Sequence, residues 1–388
     1  MWSKEHQAAA YLSRVIEGPS KALQHHLSAG IELEKIAHGV FHREPWIGKK
    51  LLSESESRYQ HSAAKEDLAQ AAHLGFRIIC ATDTEWPQEQ FQQAFGFASS
   101  GRSDIIRSYQ HDATCPHALW VAGDEVAESS QRAIAVVGTR ALSNYGRHAT
   151  EKLVSELVPH QWNIVSGGAL GVDTVAHEQA LASGGRTIIV MASGAGVNYP
   201  AANKQLFRRV AQGGGTLLTE YPPLLRPARH RFLTRNRLVA ALSQGTVVVE
   251  AAWRSGALNT LMWAQGLGRV GMAVPGPITS INSLGCHDKI QKGEAQLVIS
   301  GDDIRSLVEQ VGAVDATEQW ERQFAADDIQ GLAPVELRVF DALSNYHRIE
   351  TENIARDSGV PLRLCVYTLM ALQERGLCQR KGTTWIRC

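Results

Sequence analysis

AIAVVGTRALSNYGRHATEKLVSELVPHQWNIVSGGALGVDTVAHEQALASGGRTIIVMA, residues 133–192, decides the fold. Three apolar runs, AIAVVG (133–138), NIVSG (163–167) and TIIVMA (187–192), are separated by stretches long enough for a helix. Strands alternating with helices signal a parallel sheet. The runs lack the apolar/polar alternation of a half-exposed strand, as expected where helices cover both faces of the sheet. The same beat continues in TLLTE (216–220), TVVVEA (246–251) and VGMAVPG (270–276).

Upstream, residues 1–74 read as several helices. Apolar positions recur at helical spacing in HQAAAYLSRVI and KALQHHLSAGIELEKIAHGV, and Gly18-Pro19 separates the first two helices. FRIICATD (76–83) is the first strand-like run, EWPQEQFQQAF begins a short helix, and the polar tract Phe97 to His117 reads as a surface connection before ALWVAGD (118–124). Downstream, an acidic, strand-poor linker is expected over 311–330. Residues 331–388 then form a separate unit. PVELRVFDAL is a helix and TENIARDSG a second ending at Gly359. PLRLCVYTLMALQERG is a third with Leu364, Leu369 and Leu372 buried, and GLCQRKGTTWIR is a hairpin turning at Lys381-Gly382. That order is the winged-helix arrangement. Its weak basicity leaves protein docking or packing as open as duplex binding.

Overall charge cancels, with 39 basic and 39 acidic residues, but its distribution does not. Residues 1–131 carry −5, residues 132–300 carry +9, residues 301–330 carry −6 and residues 331–388 carry +2. A basic middle between acidic segments suits a polyanion on the central domain. The 6 cysteines show no metal spacing and read as reduced thiols of a cytoplasmic protein. No stretch approaches the roughly 18 apolar residues of a membrane span, and the charged N-terminus lacks a signal core.

Positive charge is densest in RPARHRFLTRNRLVAALSQGTVVVEAAWRSGALNT (226–260), where Arg226, Arg229, Arg231, Arg235 and Arg237 precede a strand ending at Glu250 and a Ser255-Gly256 turn. Guanidinium forks delivered to the carboxyl edge of a parallel sheet suit a phosphate-rich ligand. Phe232 among these cations is either a stacking platform for a base or a core anchor. The loop Ser166-Gly167-Gly168-Ala169-Leu170-Gly171 either presents backbone amides to an anion or permits close helix–strand packing, with Gly171 the clearest packing candidate. Asp173 caps or orients that loop. Lys204, Arg208 and Arg209 add positive potential or are solvated helix charges.

Catalytic patterns are absent from the string. The segment GTRALS supplies only the first glycine of a dinucleotide fingerprint, so NAD is disfavoured. No Walker A loop or nucleophile elbow occurs, and among 15 histidines neither His177 nor His287 has partners at metal spacing. Glu250 is the one carboxylate at a strand end near the arginines, placed to orient Arg or Asn side chains. No catalytic residue, cofactor or metal is expected.

Taken together, VVGTR, SGGALGVDTVAH, GVNYPAANKQL, FLTRNRLVAALS, VVVEAAWRSGALNT and AVPGPITS resemble the DNA-processing protein A (DprA/Smf) family over residues 76–300. The segment Asp83 to Pro87 and LWVAG (119–123) also fit. The resemblance implies an α/β fold with an extended Rossmann-like parallel sheet over 76–310, an N-terminal helical (SAM-like) region over 1–75 and a C-terminal winged helix over 331–388. It further implies a non-enzymatic protein that binds single-stranded DNA, dimerises through the Rossmann-like domain and helps load RecA recombinase in natural transformation and recombination. Carried over by motif, Arg140, Ser166, Gly167, Gly168, Lys204, Arg229, Phe232, Arg235, Asn236, Arg237, Ser255 and Gly256 are the expected DNA-binding residues. Two positions depart from the pattern: Leu170 replaces an arginine, and Gly285 to Ile290 lacks the usual Asn and Leu. A phosphoribohydrolase-like enzyme using Glu250 and a winged-helix transcription regulator are the alternative readings.

Overall fold

In the computed structural model, which describes residues 2–102, 112–309 and 328–388, every apolar run named above is a strand. They are β1 (Arg77–Ile79), β2 (Leu119–Gly123), β3 (Ala133–Val137), β4 (Asn163–Ser166), β5 (Thr187–Val190), β6 (Gly215–Thr219), β7 (Gly245–Val248) and β8 (Val270–Ala273). With β9 (Gln296–Leu297) they make one nine-stranded sheet in the order β1-β2-β6-β5-β4-β3-β7-β8-β9. All pairs from β6 across to β9 are parallel. The sheet is not wholly parallel, however: β2 runs antiparallel to both β1 and β6. Strand direction depends on how the polar connections travel, which an apolar run does not record.

Alternation along β3 shows why its sequence is continuously apolar. Ala133, Ala135 and Val137 enter one core, Ile134 and Val136 the opposite one. The first core is closed by helices Gln88–Ser99, Arg229–Ala241 and Gly256–Gly266, and the second by helices Asn144–Leu157, Val172–Ala182 and Gly301–Val308. The strand order reverses at β3, with β4, β5 and β6 to one side and β7, β8 and β9 to the other. A crevice opens at such a switch point, beyond the carboxyl ends of the strands.

The N-terminal helices Lys4–Ile16, Lys21–Ser28, Leu33–Phe41, Gly48–Ser55 and Ala64–His73 do not build a core of their own. Leu12, Val15, Ile36 and Leu68 share one with Trp120 of β2, Ile189 of β5 and Leu217 of β6. Trp120 is fully buried and its Nε1 donates to Ser13 Oγ at 3.2 Å. The break expected at residue 75 is therefore not a break in packing. One compact unit spans Met1–Val314 and a second Asp315–Cys388. Residues 311–327 of the expected acidic linker and 103–111 of the expected surface connection lie outside the described residues.

In the second unit, helices Pro334–Asp341, Thr351–Ser358 and Leu362–Glu374 pack on an antiparallel sheet of β10 (Ile349–Glu350), β11 (Cys378–Lys381) and β12 (Thr384–Arg387), ordered β10-β12-β11. Gly359, at φ +64°, makes the left-handed turn between the second and third helices. Leu369 and Leu372 are buried as expected, but Leu364 is 48% exposed. Its place inside is taken by Cys365, because positions 365, 368, 369 and 372 share one helical face. No helix among the described residues is long and apolar enough to cross a membrane.

Candidate nucleic-acid interface

A cavity of about 850 Å³ occupies the crevice at the switch point. Its walls come from the loop after β3 (Gly138 to Ala141), the loop after β4 (Gly167, Ala169), the turn before helix Gly256–Gly266, and helix Arg229–Ala241. That last helix presents Arg229, Phe232, Leu233, Asn236 and Val239, a stripe at i, i+3, i+4, i+7 and i+10, with Arg235 beside it. Of the expected residues, Arg140, Gly167, Arg229, Phe232, Arg235, Asn236, Ser255 and Gly256 line the cavity.

Phe232 is half-buried at the mouth. Its ring centroid lies 5.5 Å from that of Tyr199, at an interplanar angle of 59°. The guanidinium carbons of Arg140 and Arg235 stand 5.5 and 6.0 Å from the same ring. Arg140, Arg229 and Arg254 are exposed around it and form no ion pair among the described residues. Cations without acidic partners beside an accessible aromatic face combine backbone attraction with base stacking.

Arg235 forms the floor. Its Nη1 donates to Gly167 O at 2.6 Å and to Val190 O, and its Nε donates to Asn236 Oδ1 at 3.2 Å. A side chain on Gly167 would collide with this guanidinium, which explains the glycine. Burial lowers the Arg235 pKa to about 10, against the pull of Asp173, so the floor stays cationic at neutral pH.

The loop after β4 departs from the anion-cradle expectation. Gly167 N and Ala169 N both donate to Asp173 Oδ2, each at 3.2 Å. These amides are satisfied internally, and positive charge at the site comes from arginine side chains. Gly171, at φ +88°, packs against the Thr139 carbonyl and Arg140 backbone, as close loop packing requires. Ser166 is buried and donates to Val136 O at 2.7 Å, while Gly168 backs onto Ile189 and Phe207. Neither lines the cavity. Lys204 is exposed on helix Lys204–Arg209, also outside the lining; its neighbour Asn203 instead braces the loop by donating to Gly168 O at 3.0 Å.

The arginine-rich stretch divides by direction. Arg237 is fully buried, donates to Glu220 Oε1 at 2.7 Å and to Thr114 O at 3.1 Å, and does not line the cavity. Arg231 is engaged by Glu17 at 2.7 Å. Glu250 does not orient Arg or Asn: its carboxylate accepts from Ser143 Oγ at 2.6 Å and Ser143 N at 3.1 Å, pinning the start of helix Asn144–Leu157.

A family model described as DNA recombination-mediator protein A matches residues 77–309, which hold every wall of this cavity. The chain belongs to that DprA/Smf family. The putative DNA processing protein DprA of Mycobacterium tuberculosis is 41% identical over 383 residues, covering 98% of this chain and 93% of that protein. The X-ray structure of DNA processing protein A from Streptococcus pneumoniae aligns with a TM-score of 0.61 at 29% identity, over 78% of this chain and 98% of that one. DNA processing protein A from Helicobacter pylori, whose structure is described for its single-stranded DNA binding mode, aligns at 27% identity and a TM-score of 0.48, over 60% of this chain and 95% of that one.

For this DprA/Smf chain the cavity adds Thr139, Tyr199, Leu233 and Arg254 to the residues expected from sequence. Tyr199 enters the sequence reading only within GVNYPAANKQL, and Arg254 is one residue before the Ser255-Gly256 pair. Leu170, where the family pattern has an arginine, is 44% exposed and lies outside the lining, next to the lining residue Ala169. In the second divergent segment, His287 Nε2 lies 3.0 Å from Gly276 O and 3.2 Å from Gly276 N, a local loop contact.

Two buried histidines make stability depend on pH. Thr187 Oγ1 donates its only proton to Ile164 O at 2.7 Å, so His177 Nδ1 must donate to Thr187 Oγ1 at 2.6 Å. Burial pulls His177 down to about 3 and His117 to about 4, from 6.5. Below pH 6.5 the unfolded chain takes up protons that the folded chain refuses. The contribution is therefore complete above the unfolded pKa and is lost as pH falls toward the folded values. We expect each histidine to remove about 1 kcal/mol by pH 5.5. Denaturant melts at pH 7.5 and 5.5 check this: His177→Gln should shrink the fall, and an equal fall in the variant contradicts it.

Proposed function

We propose that this chain is a non-enzymatic single-stranded DNA-binding protein that acts in recombination and natural transformation, works as a homodimer through its Rossmann-like unit and helps load RecA. The observation that carries the DNA-binding reading is the cavity, where Arg140, Arg229 and Arg254, in no ion pair among the described residues, line the same space as the Phe232 and Tyr199 rings. Phosphates meet the guanidinium groups and a base stacks on the ring. Family membership supports the homodimer and RecA assignments. Arg235 and Asn236 supply the polar floor, and Ser255-Gly256 open a helix N-terminus toward the ligand.

Neither alternative has equal support. A base-releasing enzyme needs a free carboxylate, and Glu250 is bound to Ser143 and absent from the lining. A duplex-reading winged helix needs a basic recognition helix, and Leu362–Glu374 exposes a single arginine, Arg363, among Leu362, Leu364, Val366, Tyr367 and Met370. The test is the salt dependence of oligonucleotide affinity. Each phosphate contact contributes a slope near −0.7 for a single strand, so Arg229→Ala with Arg254→Ala should flatten the log–log plot by about 1.4. An unchanged slope in the folded double variant would place the DNA elsewhere.

A further inference from the structure

Outside the cavity lining, three side chains of different chemistry converge where the first helix meets the sheet edge. His6 lies in the first turn of helix Lys4–Ile16, Cys80 directly follows β1, and Asp83 stands in the next turn. His6 Nε2 is 3.1 Å from both oxygens of Asp83, and Cys80 Sγ is 3.4 Å from Asp83 Oδ2. All three ligand atoms lie within 4.8 Å of one another. We propose that His6 Nε2, Cys80 Sγ and the Asp83 carboxylate bind a zinc ion.

The two separations to Asp83, 3.1 and 3.4 Å, are close to those of a tetrahedral centre, and His6 Nε2 and Cys80 Sγ lie within 4.8 Å of each other. Zinc–ligand bonds of about 2.0–2.3 Å place neighbouring donors roughly 3.2–3.7 Å apart. One nitrogen, one sulfur and one oxygen form a borderline-soft set, which selects zinc over magnesium or calcium. The side chains of His6 and Asp83 are 25% and 28% exposed, so ions have access and a fourth position faces solvent. Cys80 is wholly buried, and its remaining contacts are the Thr82 hydroxyl at 3.4 Å from Sγ and its own N–H donating to Asp83 Oδ2 at 2.7 Å. These contacts orient the thiol and carboxylate as outer partners orient metal ligands. A bound ion would clamp the helix to β1, tying residues 77 positions apart in the chain and stabilising the shared core.

The same distances also describe a hydrogen-bonded knot without metal, and cobalt separates the two. Full-length, untagged protein stripped by chelator and titrated with Co²⁺ should develop a thiolate-to-cobalt charge-transfer band that Zn²⁺ removes. Zinc at about hundred-fold excess over its Kd should raise Tm by at least about 3 °C. Cys80→Ser and His6→Gln should each abolish the band and the shift while leaving oligonucleotide affinity unchanged. His6→Gln, at a partly exposed position, decides the matter if Cys80→Ser fails to fold. Absence of the band in the parent, or its survival in His6→Gln, overturns the site.

Discussion

Replacing Arg237 with alanine is expected to cost about 3–5 kcal/mol of stability and to leave the DNA affinity of the folded protein unchanged. Arg237 and Glu220 are 0% and 1% exposed in their side chains and pair at 2.7 Å. Removing the guanidinium strands a carboxylate in the core, where it has no water to turn to. Glu220 Oε2 already lacks a hydrogen-bond partner and the Arg237 ring contact with Phe95, at 5.9 Å, is lost as well. The denaturant midpoint should fall without a change in m. A Glu220→Leu, Arg237→Met double variant, which buries no charge, should recover most of the loss. A variant with an unshifted midpoint but weakened DNA binding would instead return Arg237 to the groove.

The second large effect falls on binding and spares folding. Phe232→Ala removes the only phenylalanine of the cavity lining among the described residues, and base–aromatic stacking is worth about 1–3 kcal/mol per base. Arg140→Ala removes an exposed cation 5.5 Å from that ring. Together they should weaken single-strand affinity by roughly 30- to 1,000-fold, with little change in thermal stability, because neither side chain is in a core cluster. The loss should be similar for different base compositions, since every base has a face to stack. Fluorescence anisotropy with labelled oligonucleotides reads it directly. A loss below threefold, in a variant that melts like the parent, would make Phe232 a loop anchor.

These two predictions separate what the string conveyed from what it withheld. Parallel strands were legible because β3 to β7 are buried on both faces and so are continuously apolar. The antiparallel direction of β2 and the two-residue β9 left no such trace. Helical periodicity identified what the N-terminal helices bury, but not that Leu12 and Ile36 meet Trp120 and Leu217. Clustering of arginines pointed correctly to the switch-point crevice, yet treated the residues alike. Their helical positions do not sort them either: Arg237, at i+8 from Arg229 and i+4 from Leu233, is buried outside the cavity, whereas Arg235, at i+6, lines it. Glu17 and Glu220, the partners that neutralise Arg231 and Arg237, come from remote segments that no local pattern joins. The same remoteness hid the His6, Cys80 and Asp83 cluster, whereas Asp173 orienting its own loop was legible because its partners Gly167 and Ala169 are only six and four residues away.

The central claim is that the cavity at the switch point receives a single strand. One mobility-shift titration on a single preparation, using single-stranded DNA, the same sequence as duplex, and nucleoside monophosphates as competitors, tests it most directly. The account predicts binding of the single strand at protein concentrations that leave the duplex free, no competition by monophosphates at equal nucleotide concentration, and loss of the shift in the Phe232→Ala, Arg140→Ala protein. Equal shifts for duplex and single strand, or a single-strand shift that survives in that variant, would contradict it.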